Sequence, residues 1–396
     1  MPDTVLVLNS GSSSIKFGLF EISAGDPNLL CKGLLDEHEA RPRLVVKSPA
    51  GEDLFETRRD AADADGGHLF ADVLAFIEDR FGEHSLSAAG HRIVHGGPDH
   101  SGPAVVTDEV VAKLEALTPL APLHQPRSLA PIRALAAIRP ALTQIACFDT
   151  GFHHSMLPPA SRFAIPRRYE ERGVRRYGFH GLSFEYVAGR LAEIAPQLVA
   201  KRTVIAHLGN GASLCALRDG RSVDTTMGLT PLDGLVMGTR SGTIDPGVLL
   251  YLQQHEKMSA EEIQHLLYHE SGLLGVSGLS ADMRTLLASG EIAAQEAVDL
   301  FTFRAAQEIA MMAATLEGLD CLVFTGGIGE HAKEIRSAIG ARLGWLGVRI
   351  DAAANEAARE RISGGESAVD VRVIPTNEEL TIARHCAAVI RGRHLT

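Results

Sequence analysis

Hydrophobic and polar positions along the chain repeat one arrangement at two places. Near the start, TVLVLNS at 4–10 runs through Gly11, Ser12 and Ser13 into SIKFGLF at 14–20. The second copy reads TVIAHL at 203–208, GNG at 209–211 and ASLCAL at 212–217. Each is an apolar run, a turn of small residues and a second apolar run, the pattern of a tight β-hairpin. Small residues in both turns let backbone N–H groups approach an anion. Two such hairpins predict two related domains gripping one phosphorylated ligand.

The remaining pattern predicts an α/β chain. Short strands are expected at 29–35 and 43–46. A 3.6-residue period at 68–81 puts Leu69, Phe70, Val73, Phe76 and Ile77 on one helix face. A strand at 88–94 ends in His95-Gly96-Gly97, helices follow at 108–117 and 126–138, and a buried strand at 145–148 ends at Asp149. Later, a strand at 222–225 precedes helices at 246–255, 260–269 and 293–317, the last stopped by Gly318 as a C′ glycine. A buried strand at 322–325 runs into Gly326-Gly327-Ile328-Gly329-Glu330 and another helix. A strand at 371–374 and a helix at 378–391 close the chain.

At 396 residues the chain is too long for one ordinary core. Two domains are expected, 1–150 with 380–396 and 151–379. Hydrophobic residues at 45% and charged residues at 22% suit two globular cores. The net charge of −11 argues against a nucleic-acid or anionic-membrane partner, so an anionic ligand must be held by a local cluster of cations. The five cysteines (Cys31, Cys147, Cys215, Cys321 and Cys386) are scattered, form no CxxC and read as buried reduced thiols. No signal peptide or membrane-length apolar run is expected, which predicts a soluble cytoplasmic protein.

Several polar residues stand where packing does not call for them. Gly326-Gly327-Ile328-Gly329 sits between a strand and a helix and reads either as a tight turn or as an anion-binding helix start. It is neither a Walker A loop nor GxGxxG. Thr376 and Glu379 fit a capping box, which leaves Glu378 as either a surface charge or a metal ligand. Arg92 precedes a glycine turn and Arg240 lies between glycines in MGTRSG, where a planar guanidinium suits carboxylate or phosphate. His124 lies in a proline-bounded loop, His180 in YGFHG, and either can be structural. Asn9 and Asp149 end strands at the sheet edge where ligands gather.

These residues lie in longer motifs: LVLNSGSSSIKF at 6–17, HRIVHGG at 91–97, APLH at 121–124, FDTGFH at 148–153, RRYGFHG at 175–181, HLGNGAS at 207–213, MGLTPLDGLVMGTRSG at 227–242, FTGGIGEH at 324–331 and PTNEE at 375–379. Across nearly its whole length the chain closely resembles the acetate/propionate kinase family of the actin–sugar kinase–Hsp70 superfamily. The resemblance implies two duplicated ribonuclease-H-like (actin-like ATPase) domains with a central active-site cleft, in a homodimer. It implies reversible phosphoryl transfer from ATP to acetate, giving acetyl phosphate and ADP, with Mg²⁺ and with Mn²⁺ as a substitute. Carried over position by position, it implies a catalytic set of Arg92, His124, Asp149, His180 and Arg240, with metal-site residues Asn9 and Glu378. Ser12, Ser14, Lys16, His207, Gly209, Asn210, Gly211, Asp282, Met283, Arg284, Gly327, Ile328 and Gly329 are implied for ATP. Arg92, Val94, Leu123, Phe179 and Pro231 are implied for the acid. The chain departs from the family pattern at Gln125, Gly151, Leu182, Phe184 and Thr243. Two other readings are a kinase for propionate or another short acid, and an actin- or Hsp70-like nucleotide switch.

Overall fold

Both hairpins form. β1 (Thr4–Ser10) pairs antiparallel with β2 (Ile15–Glu21), bringing Asn9 opposite Lys16. The structure is a computed structural model and describes residues 3–10, 14–23, 25–36, 42–58, 66–82 and 86–392. Two compact units divide the chain: Met1–Phe152 with Asn377–Thr396, and His153–Thr376.

In the first unit the antiparallel run continues through β3 (Asn28–Asp36), β4 (Arg43–Lys47) and β5 (Asp53–Arg58). On the other side of β1 lie β6 (Leu86–Ile93), β8 (Thr143–Phe148) and the two-residue β7 (Ala104–Val105). The β1, β6 and β8 strands are mutually parallel, with Leu8 opposite His91 and Ile93 opposite Phe148. Parallel register therefore brings Asn9, Arg92 and Asp149 to one carboxyl edge. The helix Gly66–Phe81 buries Phe70, Val73, Leu74 and Ile77 against Leu6, Leu8, Phe17 and Leu19, as its 3.6-residue period requires. The side chain of Leu69 lies outside the described set. The closing helix, Glu378–Ile390, packs on β1 and β6. Its close approach needs Gly90, where a Cβ would come within 2.5 Å of Cys386 Sγ.

The second unit repeats this plan with five strands: β9 (Thr203–Leu208), β10 (Ala212–Arg218), β11 (Arg221–Thr225), β12 (Cys321–Thr325) and β13 (Asp370–Val373). They lie in the order β11-β10-β9-β12-β13. Antiparallel β9–β10–β11 matches the hairpin side of the first unit, and β12 is parallel to both β9 and β13. Every residue of β9 and β12 is buried, as expected of parallel strands covered on both faces. Thr325 stands opposite His207, so the glycine turn after β12 begins beside the end of β9.

Two terminus assignments from sequence change. The long helix Ile292–Leu316 is stopped by Glu317, itself left-handed at φ 62°, not by Gly318 as the turning residue. A Cβ at Gly318 would come within 2.1 Å of Arg202 Nη1, and Arg202 Nη1 also donates to the Glu317 carbonyl at 2.8 Å. The last helix is capped by Asn377, whose side chain accepts from Leu380 N at 3.0 Å, so Thr376 and Glu379 do not form a capping box. Both are thereby released for other partners. The helix Gly181–Ile194, to which the sequence pattern was not assigned, buries Leu182, Phe184, Val187 and Leu191. All five cysteines are free and buried.

Two buried histidines make the fold acid-sensitive. Burial lowers both His91 and His153 from the ordinary 6.5 to about 4. The unfolded chain therefore takes protons first as pH falls. The stability these neutral imidazoles contribute is complete above pH 6.5, declines below it, and is gone once pH passes below about 4, about 3 kcal/mol per histidine. Urea melts from pH 7 to 4 are expected to show this slope, and His153→Gln to remove about half of it. An unchanged slope in that variant contradicts the assignment.

Candidate active site

The first unit gathers its polar residues around Arg92. Its Nε donates to both oxygens of Asp149 at 3.1 Å, and Nη2 donates to Asp149 Oδ2 at 2.6 Å. Nη1 donates to Asn9 Oδ1 at 3.1 Å. Asn9 Nδ2 then donates to Glu378 Oε2 at 3.1 Å and Glu379 Oε1 at 3.2 Å. These partners fix the Asn9 amide: its oxygen can only accept from the guanidinium and its nitrogen can only donate to the carboxylates. Glu378 also lies 3.8 Å from Arg92 Nε. Glu379, expected to cap the helix, is thus a member of the site that sequence reasoning missed.

The electrostatics follow from burial. Asp149 is 1% exposed. Burial, its largest influence, raises the carboxyl above the usual range; Arg92 opposes this and the Glu378 charge adds to it. Burial also disfavours the Arg92 charge, but Asp149 and Glu378 more than offset that, so the guanidinium stays charged. Three carboxylates around Arg92 leave local room for another cation. Among the described residues no three acidic, histidine or cysteine side chains converge closely enough to cage a metal alone. An all-oxygen set that leaves ligand places for phosphate and water fits Mg²⁺, which uses few protein carboxylates.

Around this centre, Lys16 is exposed and is Asn9's cross-strand partner. Ser12 lies outside the described residues; Ser14 is described and half-buried. His124 sits half-buried at the N-cap of the helix Gln125–Ile138. The departure at Gln125 has a structural use: its Nε2 donates to the carbonyls of His95 and Leu114 at 2.9 and 3.1 Å, and its Oε1 accepts from His95 N at 3.2 Å. It joins the His124 loop to the glycine turn after β6. At Gly151 a Cβ would stand 3.4 Å from Ser101 O, so alanine also fits there. Val94 is buried and Leu123 half-buried in this unit.

The second unit brings His180, His207 and Arg240 to the β9–β10 turn. The two imidazoles stack with centroids 4.3 Å apart and planes inclined by 17°. His180 Nδ1 lies 2.8 Å from Ser213 Oγ, and His207 Nδ1 lies 2.8 Å from Ser183 Oγ. Ser213 is the cross-strand partner of His207, so the His180 ring covers a β-ladder pair. A Cβ at Gly211 would come within 2.8 Å of Arg240 Nη2 and 3.1 Å of His180 Nε2. The guanidinium and the imidazole therefore converge on bare backbone. Arg240 Nη1 is anchored on the Pro231 carbonyl at 2.7 Å, and Phe179, which precedes His180, is 1% exposed.

Gly209, Asn210, Asp282, Met283, Arg284, Gly327 and Ile328 line one cavity of about 800 Å³. Leu287 and His331, which the motifs did not single out, line it too. Gly329 and Gly211 do not: Gly329 packs against Phe324, and Gly211 serves the Arg240–His180 convergence. Asp282 also caps the helix Met283–Ala288, accepting from Arg284 N at 2.8 Å. Phe184 is fully buried and meets His153 and His207 edge-on, with centroids 5.5 and 6.3 Å apart. Thr243 donates to Asp233 Oδ1 at 2.8 Å, where an aspartate would oppose a like charge.

Chemically, one unit holds an anchored guanidinium among carboxylates. The other presents a guanidinium and an imidazole over a glycine turn whose Gly209 and Asn210 line a cavity of about 800 Å³.

A sequence model of the Acetokinase family matches residues 4–384. An acetate kinase of Rhodopseudomonas palustris (strain TIE-1) is 53% identical over 390 residues, covering 97% of this chain and 98% of that protein. The crystal structure of Porphyromonas gingivalis acetate kinase superposes with a TM-score of 0.86 at 37% identity, covering 98% of this chain and all of that one. A propionate kinase from Francisella tularensis superposes with a TM-score of 0.90 at 38% identity, covering 97% and 98%. The α/β units repeat the two-domain actin-like ATPase fold of these neighbours, and the chain belongs to the acetokinase family.

Proposed function

We propose that the protein transfers the γ-phosphoryl group of ATP to acetate, reversibly and by direct in-line displacement, giving acetyl phosphate and ADP. The observation that carries the reading is the convergence of Arg240 and His180 on Gly211, within a chain 97% of which aligns with an acetate kinase.

A carboxylic acid acceptor has a pKa near that of a glutamate side chain, about 4.3. It is already ionised at pH 7, so the attacking oxygen needs no general base. The obstacle is that one anion must approach another. Arg92 and Arg240 neutralise and align the acceptor and the transferring group, and the His180 imidazole steadies the phosphoryl oxygens. His124 belongs to the same set. Asp149 is then no proton acceptor. With Asn9 and Glu378 it would hold Mg²⁺, directly or through water, and Mn²⁺ would suit the same oxygens. The bound ion supplies Lewis-acid neutralisation of phosphate charge. Lys16, Ser12, Ser14, His207 and the glycines of the second turn would take the phosphates, and the cavity lined by Asp282, Met283, Arg284 and Ile328 would take the nucleoside.

Val94, Leu123, Phe179 and Pro231 would enclose the methyl group of the acid. The likeness to a propionate kinase supports a second reading, a preference for the longer acid. One methylene is worth about 1–3 kcal/mol, so propionate is expected to be a poorer substrate than acetate, not an excluded one. A cytoplasmic homodimer completes the proposal. The five free buried thiols suit a reducing compartment, and among the described residues no helix is long and apolar enough to cross a membrane. The helix Pro246–Gln254 buries none of its residues and exposes Val248, Leu250 and Tyr251, which suits a subunit interface.

Acetate-dependent ADP release, with acetyl phosphate trapped by hydroxylamine as the hydroxamate, tests the reaction; ATP hydrolysis indifferent to acetate refutes it. Arg92→Ala and Arg240→Ala are each expected to lower turnover on the order of a thousandfold, as loss of an arginine finger does. Val94→Ala is expected to raise the ratio of propionate to acetate efficiency, and an unchanged ratio removes Val94 from the pocket. Leu250→Asp is expected to shift the sedimenting species from dimer to monomer; a dimer retained in that variant removes this helix from the interface.

A further inference from the structure

A hydrogen-bond chain that the reaction as outlined does not use runs to the His207 imidazole. Thr376 Oγ1 donates to Ser183 Oγ at 2.8 Å. Ser183 Oγ lies 2.8 Å from His207 Nδ1. Ser183 is fully buried and His207 is 8% exposed. With Thr376 donating to Ser183, the serine's own hydroxyl proton is available to point at Nδ1, and a ring that accepts it there keeps its proton on the other nitrogen. The ring proton then resides on Nε2. That nitrogen lies at the phosphate-binding turn, 3.8 Å from where a side chain at Gly209 would begin.

Thr376 is itself held. Glu330 Oε1 accepts from Thr376 N at 3.1 Å and from Gly326 N at 3.0 Å. One carboxylate thus ties Thr376 to the glycine turn whose next residues, Gly327 and Ile328, line the cavity. The buried Arg336 fixes the short helix Gly326–His331, which begins at this turn, donating from Nη1 to the Gly329 and Glu330 carbonyls at 3.0 and 2.8 Å.

We propose that Thr376 and Ser183 are positioning residues that lock His207 in its Nε2–H tautomer, so that the imidazole meets the nucleotide phosphates as a hydrogen-bond donor. The opposite tautomer would present a lone pair to an anion. Preset donors cost no reorganisation when the phosphate arrives. The proposal rests on the reading of His207 as a phosphate contact.

Thr376→Val removes the donor hydroxyl with little change in shape, Ser183→Ala breaks the next link independently, and Thr376→Ser restores the hydroxyl. The first two are expected to lower kcat/KM for ATP about tenfold, the worth of one hydrogen bond to a charged group, with KM for acetate unchanged. Thr376→Ser is expected to match the parent. Imidazole ¹⁵N spectra, with His207 assigned by its loss in His207→Gln, are expected to show well-separated Nδ1 and Nε2 signals in the parent and signals drawn together in Thr376→Val and Ser183→Ala. Unmoved His207 signals in both variants overturn the proposal. Impaired His207→Gln beside fully active Thr376→Val and Ser183→Ala overturns it while sparing the phosphate contact. Parental ATP kinetics in His207→Gln overturn both.

Discussion

A guanidinium held against a buried carboxylate must be matched in charge, and the match for Arg92 is drawn from widely separated parts of the chain. Asp149 follows β8, Asn9 ends β1, and Glu378 and Glu379 open the last helix, more than 200 residues beyond Asp149. Breaking such a pair strands an unmatched charge at about 3–5 kcal/mol, so the network constrains where that helix can begin. The same arrangement is incomplete as an electrostatic structure. Asp149 is pushed upward by burial and by Glu378, and a further cation would relieve it. Structural and chemical demands therefore meet on one side chain: Arg92 orders the unit while it holds a centre whose charge is not yet balanced.

Repetition of the sheet plan explains why the site residues occur where they do. In each unit a hairpin strand lies parallel to a later strand, so the end of the hairpin strand and the turn after the later one share an edge. The first unit uses this edge for oxygen chemistry, with Asn9 and Asp149. The second uses the matching edge for nitrogen donors and bare backbone, with His207 ending β9 and Gly326 following β12. The same strand plan thus occurs twice, with oxygen-bearing side chains at one edge and imidazole and bare backbone at the other.

Local patterning made much of this readable. Alternating and continuous apolar runs located both hairpins, and Arg92, Asp149, His180 and Arg240 stood out because glycine or strand ends surround them. The structure brings Arg92 to Asp149 and Arg240 to His180. What stayed hidden depended on distant partners. Thr376 and Glu379 have the spacing of a capping box, yet Asn377 takes the cap, Thr376 reaches a serine 193 positions away, and Glu379 reaches Asn9 across 370. Ser183 and Ser213 look like ordinary small residues until β-pairing and helix packing deliver them to the imidazoles. Gln125 departs from the family pattern, but only the fold reveals that its full amide is used.

His180 shows how such supports work. Its backbone is left-handed, φ 58°, which costs a side-chain-bearing residue of order 1–3 kcal/mol unless its surroundings impose it. They do so from several directions. His153 Nε2 donates to the Phe179 carbonyl at 3.0 Å, so the neutral ring carries its proton there and grips the preceding residue. Ser222 Oγ holds the ring's other nitrogen, 2.8 Å from Nδ1, and Phe184 meets the ring edge-on. Ser213 holds the His180 ring itself. A histidine at 184 would add a second polar ring to this buried layer, whereas phenylalanine fills it without asking for a partner. The departure thus leaves the strained turn fully enclosed, and the imidazole that it aims at Gly211 keeps its place.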